Sequence, residues 1–268
     1  MTNSPKTVLV VGATGSIGRL VVDEALRQGH AVRALVRTTN KARQVNAQAQ
    51  VIIGDVTRPD TLRDAVDGVD AIVFTLGSNG LGKAGAEAVD YGGVRNVLGA
   101  LGLRNARIAL MTAIGVTDRA GSYNRSTEAH DWKRRSERLV RASGLQYTIV
   151  RPGWFDYNAP DQHRLVLLQG DRRHAGDSSD GVVARRQIAQ VLVHSLGSDL
   201  ASRKTFELVA ETGPAPDNFD ALFALLDADP KGALDGVRDM ANMLPDEEPQ
   251  RVRNDLNAVR ARQSVAGA

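Results

Sequence analysis

Three glycines set three residues apart, in Gly12-Ala13-Thr14-Gly15-Ser16-Ile17-Gly18, follow directly on the apolar run Thr7-Val8-Leu9-Val10-Val11 and precede an amphipathic segment. This order suits a pyrophosphate. The first glycine permits a tight turn, the second lets backbone approach the phosphates, and the third lets the helix pack on the strand. The phosphates would rest on a helix predicted to begin near Ser16, where unpaired N–H groups and the helix dipole favour negative charge. The next informative residue is Arg37, just past the second predicted strand. An acidic residue there would bond the ribose 2′-OH of NAD, whereas a basic one suits the 2′-phosphate of NADP. A guanidinium offers that phosphate a planar fork of donors. The expected cofactor is therefore NADP(H), with NAD second. Arg19 and Lys41 either add positive potential or are solvated surface cations.

Further along, Trp154, Phe155 and Tyr157 cluster in a chain with few aromatics and follow a predicted strand. They are candidates for a substrate wall, with core packing as the alternative. Arg172-Arg173-His174 reads either as a mouth for an acidic substrate or as a polar loop. Lys133-Arg134-Arg135, Arg138 and Arg141 read as the solvated face of a helix, with Glu137 and Arg141 an exposed pair four residues apart. No His/Asp/Glu cluster has metal-ligand spacing and no Gly-x-Ser-x-Gly elbow is present, so no metal is expected.

Strand and helix signals alternate, which predicts parallel βαβ units. Predicted strands are Thr7–Val11, Ala31–Val36, Gln50–Ile53, Ala71–Phe74, Arg107–Met111 and Tyr147–Val150. Predicted helices lie near residues 17–28, 41–47, 59–66, 85–101 and 127–143, with Pro59 suited to a first helical turn. Residues 151–157 read as a loop. A strand is expected at 165–168, a polar turn-rich stretch at 170–181, a helix at 184–196 and a last strand at 205–209. Helical stretches at 217–226 and 235–243 follow, and 252–261 is either helical or disordered. The fold class is α/β, a doubly wound parallel sheet. Residues 1–155 form the dinucleotide-binding core, 156–213 a substrate region interleaved with the last core elements, and 214–268 a helical tail that covers the site, joins subunits or stays loose.

The chain has 268 residues, a net charge of +3 and no cysteine. That length suits one α/β domain with elaborations. The small, scattered charge excess argues against nucleic acid. The lack of cysteine excludes disulfides and thiolate chemistry. No apolar run is long enough for a membrane span, and no leader precedes the first strand. The expectation is a cytoplasmic protein, monomer or homodimer, whose partner is a small-molecule substrate.

These pieces, together with Gly54-Asp55-Val56, Asp90-Tyr91-Gly92-Gly93-Val94-Arg95-Asn96 and Ser143 to Gly153 (Ser-Gly-Leu-Gln-Tyr-Thr-Ile-Val-Arg-Pro-Gly), resemble the atypical short-chain dehydrogenase/reductase group, especially NmrA-like NAD(P)-binding proteins, over about residues 6–210. The resemblance implies a Rossmann fold with the cofactor across the strand ends. It places Asp55 and Val56 near the adenine, with a helix cap as the alternative role for Asp55. It places Thr75, Leu76 and Gly77 beside the riboses and Pro152, Gly153 and Trp154 near the nicotinamide. It also implies a Tyr-x-x-x-Lys pair, in which the tyrosine moves the proton and the lysine binds ribose. Lys133 stands at the lysine position, but Ala129 stands where the tyrosine belongs. Thr112 takes the hydroxyl position that orients a substrate carbonyl, or else bonds backbone. His130, Tyr157, Tyr123 and Asp131 are the groups near enough in sequence to replace the tyrosine or orient its replacement. Three functions follow: an NADP(H)-dependent reductase of a carbonyl, quinone or flavin-like molecule; a non-catalytic dinucleotide sensor; and an epimerase or isomerase that keeps its cofactor.

Overall fold

A computed structural model of the chain describes residues 4–78 and 80–266. Strands β1 (Thr7–Val11), β2 (Ala31–Val36), β3 (Gln50–Ile53), β4 (Ala71–Phe74), β5 (Arg107–Met111) and β6 (Tyr147–Pro152) pair in parallel in the order β3-β2-β1-β4-β5-β6. Trp154–Phe155 (β7) pairs with Val182–Val183 (β9) in a separate two-stranded ribbon. The main sheet ends with β10 (Lys204–Glu211), parallel to β6, and the antiparallel edge strand β8 (Arg164–Leu168).

The helices are α1 (Gly18–Arg27), α2 (Thr39–Ala42), α3 (Arg63–Val66), α4 (Gly82–Gly85), α5 (Gly92–Leu101), α6 (Ser122–Thr127), α7 (Ala129–Ala142), α8 (Arg185–Ser195), α9 (Phe219–Ala224) and α10 (Gln250–Ala266). Side chains alternate across a strand. Val8 and Val10 therefore enter one core with Val21 and Val22 of α1 and Ile188 and Leu192 of α8. Leu9 and Val11 enter the other, with Val94 and Val97 of α5, Leu139 and Val140 of α7, and Val252 and Leu256 of α10. Helices on both faces of a mostly parallel sheet make the doubly wound Rossmann architecture.

Several local expectations need correction. The first helix begins at Gly18, so Ile17 is a buried core residue. The short helix expected at 41–47 sits at Thr39–Ala42. The segment expected as one helix at 85–101 opens with α4 and a π-helical turn, Ala86–Tyr91. Arg151 and Pro152 extend β6 rather than beginning a loop. The final segment is helical, as α10.

The largest departure concerns α7 and the chain after α9. Arg134, Arg138 and Arg151 are 0% exposed, and Arg135, Glu137 and Arg141 are buried beside them. The expected solvated face and exposed Glu137–Arg141 pair are instead an interior charge cluster. Arg138 meets Asp235 at 2.7 Å and Glu248 at 3.0 Å, and Arg135 meets Glu248 at 2.7 Å. Arg134 meets Asp235 at 3.0 Å, and Arg141 meets Asp229 at 3.1 Å. Arg151 is clamped by Glu137 and Asp239, each at 2.7 Å. Five guanidinium groups thus face five carboxylates, four of them supplied from beyond residue 228.

This also explains why 235–243 is not the expected helix. The carbonyls of Leu234, Met240, Asn242 and Met243 accept from Arg141, Arg134, Arg119 and Arg138. The backbone there is laid out along the arginine donors of α7 and Arg119, which satisfy its carbonyls outside a helix.

Candidate functional site

The sheet's strand order reverses at β1 and β4, and ligands of open α/β sheets bind beyond the carboxyl ends of strands at such a switch point. A cleft of about 610 Å³ opens there, within the range of small-molecule sites. Gly12, Thr14 and Gly15 line it, with Arg37 and Lys41 after β2, Asp55 and Val56 after β3, and Thr75, Leu76 and Gly77 after β4.

The glycines are needed by geometry. Gly12 adopts φ +91°, and a Cβ there would stand 2.9 Å from the Thr75 carbonyl oxygen. A Cβ on Gly18 would stand 2.1 Å from the Gly12 carbonyl oxygen, so α1 packs against the turn only without one. Thr75 Oγ1 donates to the Val11 carbonyl at 3.2 Å, tying β4 to the same turn. Asn96 donates to the Val56 carbonyl at 2.7 Å and holds the loop after β3.

Ser16 does not join this lining; with Arg19 it faces a separate shallow groove. The Asp55 carboxylate accepts from the Thr57 amide and hydroxyl at 2.9 and 2.8 Å, a local turn that shapes the loop after β3.

A second cavity, about 460 Å³, lies beyond the ends of β5 and β6. Its walls are largely apolar, from Ala113 and Ile114 after β5, and from Pro152, Gly153, Trp154 and Phe155 at the end of β6 and in β7. Tyr123, His130, Asp118, Arg173, His174 and Asp180 supply its polar groups. Trp154 and Phe155 are therefore wall residues held in place by pairing with Val182 and Val183. Tyr157 is 68% exposed and packs edge-on to Trp154 at 6.2 Å outside that lining.

The structure does not bring Thr112 and Lys133 into either cavity. The Thr112 hydroxyl donates to Glu137 Oε1 at 2.7 Å and is buried in the charge cluster, so it is not presented to a substrate. Lys133 Nζ pairs with the buried Asp90 at 2.7 Å, and Asp90 Oδ2 has no partner. Ala129 is buried among apolar residues, which leaves no hydroxyl at that helix position. Of the groups considered as replacements for the tyrosine, Tyr123 and His130 reach the cavity. Asp131 is bonded to Arg119 and Asn124.

Sequence reasoning missed the position of Asp171. It is fully buried behind the loop after β5, whose Gly115 lines the cavity, and accepts from the Gly115 amide at 2.6 Å and the Thr117 amide at 2.7 Å. Its only sequence signal is the neighbouring Arg172-Arg173-His174 run. The structure divides that run: Arg173 and His174 face the second cavity, while Arg172 lines a different one.

A family model for NAD(P)H-binding proteins matches residues 12–199. Sanguinarine reductase of Eschscholzia californica is 26% identical over 263 residues, covering 81% of this chain and 95% of that protein. Among solved structures, a Bacillus halodurans protein described as an NAD-dependent epimerase/dehydratase aligns with a TM-score of 0.67 at 22% identity, over 82% of this chain and 99% of that one. The NADPH complex of an Escherichia coli NADPH-dependent quinone oxidoreductase aligns with a TM-score of 0.57 at 20% identity, over 76% and 71%. Likeness at that level of identity shows the shared fold. Fold, cleft and family match agree, and the chain belongs to the NAD(P)H-binding family.

Proposed function

We propose that this chain is an NADP(H)-dependent oxidoreductase that reduces a small organic acceptor of the carbonyl, quinone or flavin type. One observation supports the cofactor choice above the others. Arg37 and Lys41 stand exposed on the lip of the glycine-floored cleft, and neither forms an ion pair among the described residues. Cations left open beside a phosphate-binding turn suit the 2′-phosphate that distinguishes NADP from NAD.

Gly12, Thr14 and Gly15 would hold the pyrophosphate. Asp55 and Val56 would flank the adenine, and Thr75, Leu76 and Gly77 the riboses. Pro152, Gly153 and Trp154 would border the nicotinamide, with the acceptor against Trp154 and Phe155. Reduced nicotinamide supplies a hydride when bound. The chain's own part is to orient both partners, exclude water with an apolar wall and provide a proton.

Calorimetric titration with NADPH and NADH, followed by NADPH oxidation against a panel of quinones, flavins and carbonyls, tests the proposal. The expected result is NADPH binding at least tenfold tighter than NADH and turnover with one acceptor class. Binding of neither nucleotide overturns the site assignment, and binding without oxidation of any acceptor overturns the reductase assignment. That last outcome favours the second reading, a dinucleotide sensor. Its support is the Lys133 ammonium, bonded to Asp90 and set back from both cavities.

A further inference from the structure

The second cavity holds two histidines in opposed settings. His130, in the first turn of α7, lies 5.1 Å from the Tyr123 ring, and its Nδ1 is buried without a partner. Burial pushes its pKa down, so its ring is neutral at pH 7. His174 lies on the loop between β8 and β9, above the amide-held Asp171. Its Nε2 is 3.8 Å from Asp171 Oδ2 and 3.3 Å from Thr117 Oγ1.

The Thr117 hydroxyl donates its one proton to the Asp171 carbonyl at 3.2 Å. It can therefore only accept from His174, which fixes a proton on Nε2. Nδ1 has no protein partner among the described residues and is the nitrogen left for a ligand.

Asp171 raises the His174 pKa above the ordinary histidine value, against partial burial. Burial alone would raise Asp171 as well. His174, Arg151 and the Thr117 and Gly115 amides outweigh burial and hold Asp171 at about 2. The remaining ionisable groups around His174 are Asp118, Asp180, Arg173, His130 and Tyr123 across the cavity, with Glu207 behind Asp171 accepting its amide at 3.1 Å. Two titratable groups in one cavity, shifted in opposite directions, divide the roles: His174 keeps its proton to higher pH than His130 does.

Resting on the reductase reading, we propose that His174, oriented by Asp171, is the acid that protonates the acceptor in place of the tyrosine missing at Ala129. The acceptor carbon gains the hydride and its C=O π pair moves onto oxygen. That oxygen bonds the proton of Nδ1, whose N–H electrons stay on the ring. The neutral imidazole is then reprotonated from solvent. Asp171 is a positioning residue: Thr117 accepts from Nε2, while the Asp171 carboxylate 3.8 Å away stabilises the imidazolium and stays ionised throughout.

The test combines a measurement without nucleotide and a kinetic one. In the ligand-free protein, NMR titration of the histidine Cε1–H signals gives the His174 pKa, the signal being assigned by its loss in His174→Gln. It should lie above 6.5 in the wild type and fall below the wild-type value in Asp171→Asn. With NADPH and an accepted substrate, His174→Gln should lose about 100-fold or more in kcat and keep NADPH affinity within twofold. The fall of kcat at rising pH should vanish in that variant and should move to lower pH in Asp171→Asn.

An ordinary or depressed His174 value in the wild type overturns the proposal. A His174→Gln protein that keeps both kcat and the alkaline fall also overturns it, while leaving the reductase reading intact. A wild type that oxidises no NADPH fails at the earlier step and removes both. His174→Gln changes a half-buried loop residue, so it gives an answer even where Asp171→Asn does not fold.

Discussion

Arginine meets anions in two regions of this molecule, under opposite rules. At the cleft, Arg37 projects into solvent with no carboxylate of the described residues on it, and the loops after β2 and β3 line the cleft beside it. Under α7, each buried guanidinium is closed on a carboxylate of the same chain, and Arg151 is clamped by two. An isolated charge moved into the interior is too costly to keep, so burial there demands complete pairing. A charge left in water has no such requirement and stays open to a ligand. The contrast teaches that the presence of arginine does not mark a site; the source of its counter-charge does.

The sharpest way to break the comparison is to remove the internal anions. Ending the chain at Ala228 takes away Asp229, Asp235, Asp239 and Glu248 together. Each broken buried pair costs about 3–5 kcal/mol, and the sum exceeds the ~5–15 kcal/mol by which domains are stable. The truncated chain should show no cooperative thermal transition by circular dichroism; a two-state melt near that of the full chain would refute the cluster's role.

A single cut should be smaller. Glu137→Ala takes one carboxylate from Arg141 and from Arg151, leaving Asp229 and Asp239, and should cost about 3–5 kcal/mol. At roughly 2–4 °C per kcal/mol for a chain of this size, Tm should fall by roughly 6–20 °C.

The matching change at the cleft should leave the fold alone. Arg37→Glu should weaken NADPH binding by about 10- to 100-fold, the worth of one or two charge-assisted bonds. It should alter NADH binding by less than about threefold and shift Tm by no more than about 2 °C, as surface substitutions do. Equal loss of both nucleotides in calorimetry would remove Arg37 from the 2′-phosphate.

The smallest effect belongs to Glu207, at the edge of the cluster. Burial raises its pKa to about 8, with the nearby Arg151 opposing. Glu207 therefore takes up a proton on folding. Its contribution is complete below the ordinary glutamate value and is lost as pH rises through about 8. Glu207→Gln should flatten that part of the stability–pH curve, measured as denaturation midpoints between pH 5 and 9.

Strands β1 to β5 were legible to the residue because short β-branched runs bounded by Gly, Pro and polar residues have few other readings. The glycine turn, Arg37 and the loops after β3 and β4 were legible because a switch point lies at strand ends, where sequence order predicts space. The α7 cluster was not. Its arginines look solvated because their partners lie about 90–110 residues away. One cue was available: 134, 138 and 141 follow the i, i+4, i+7 spacing of a buried stripe. Asp171 was hidden for a related reason, since a loop carboxylate gains meaning only from the Gly115 and Thr117 amides above it. Thr112 and Lys133 show the reverse: motif position pointed to the site, while Glu137 and Asp90 claimed their polar atoms.

The long-range pairing of α7 also sets a schedule for biosynthesis. Arg135 emerges from the ribosome 113 residues ahead of its partner Glu248. At ~5–20 residues per second the delay is about 6–23 s. Throughout that wait Arg134, Arg135 and Arg138 lack the Asp235 and Glu248 carboxylates that close on them in the finished chain. Docking of α7 is thus a late event in synthesis, and a message cut short anywhere before codon 229 yields a polypeptide that cannot close and becomes a client of chaperones and proteases.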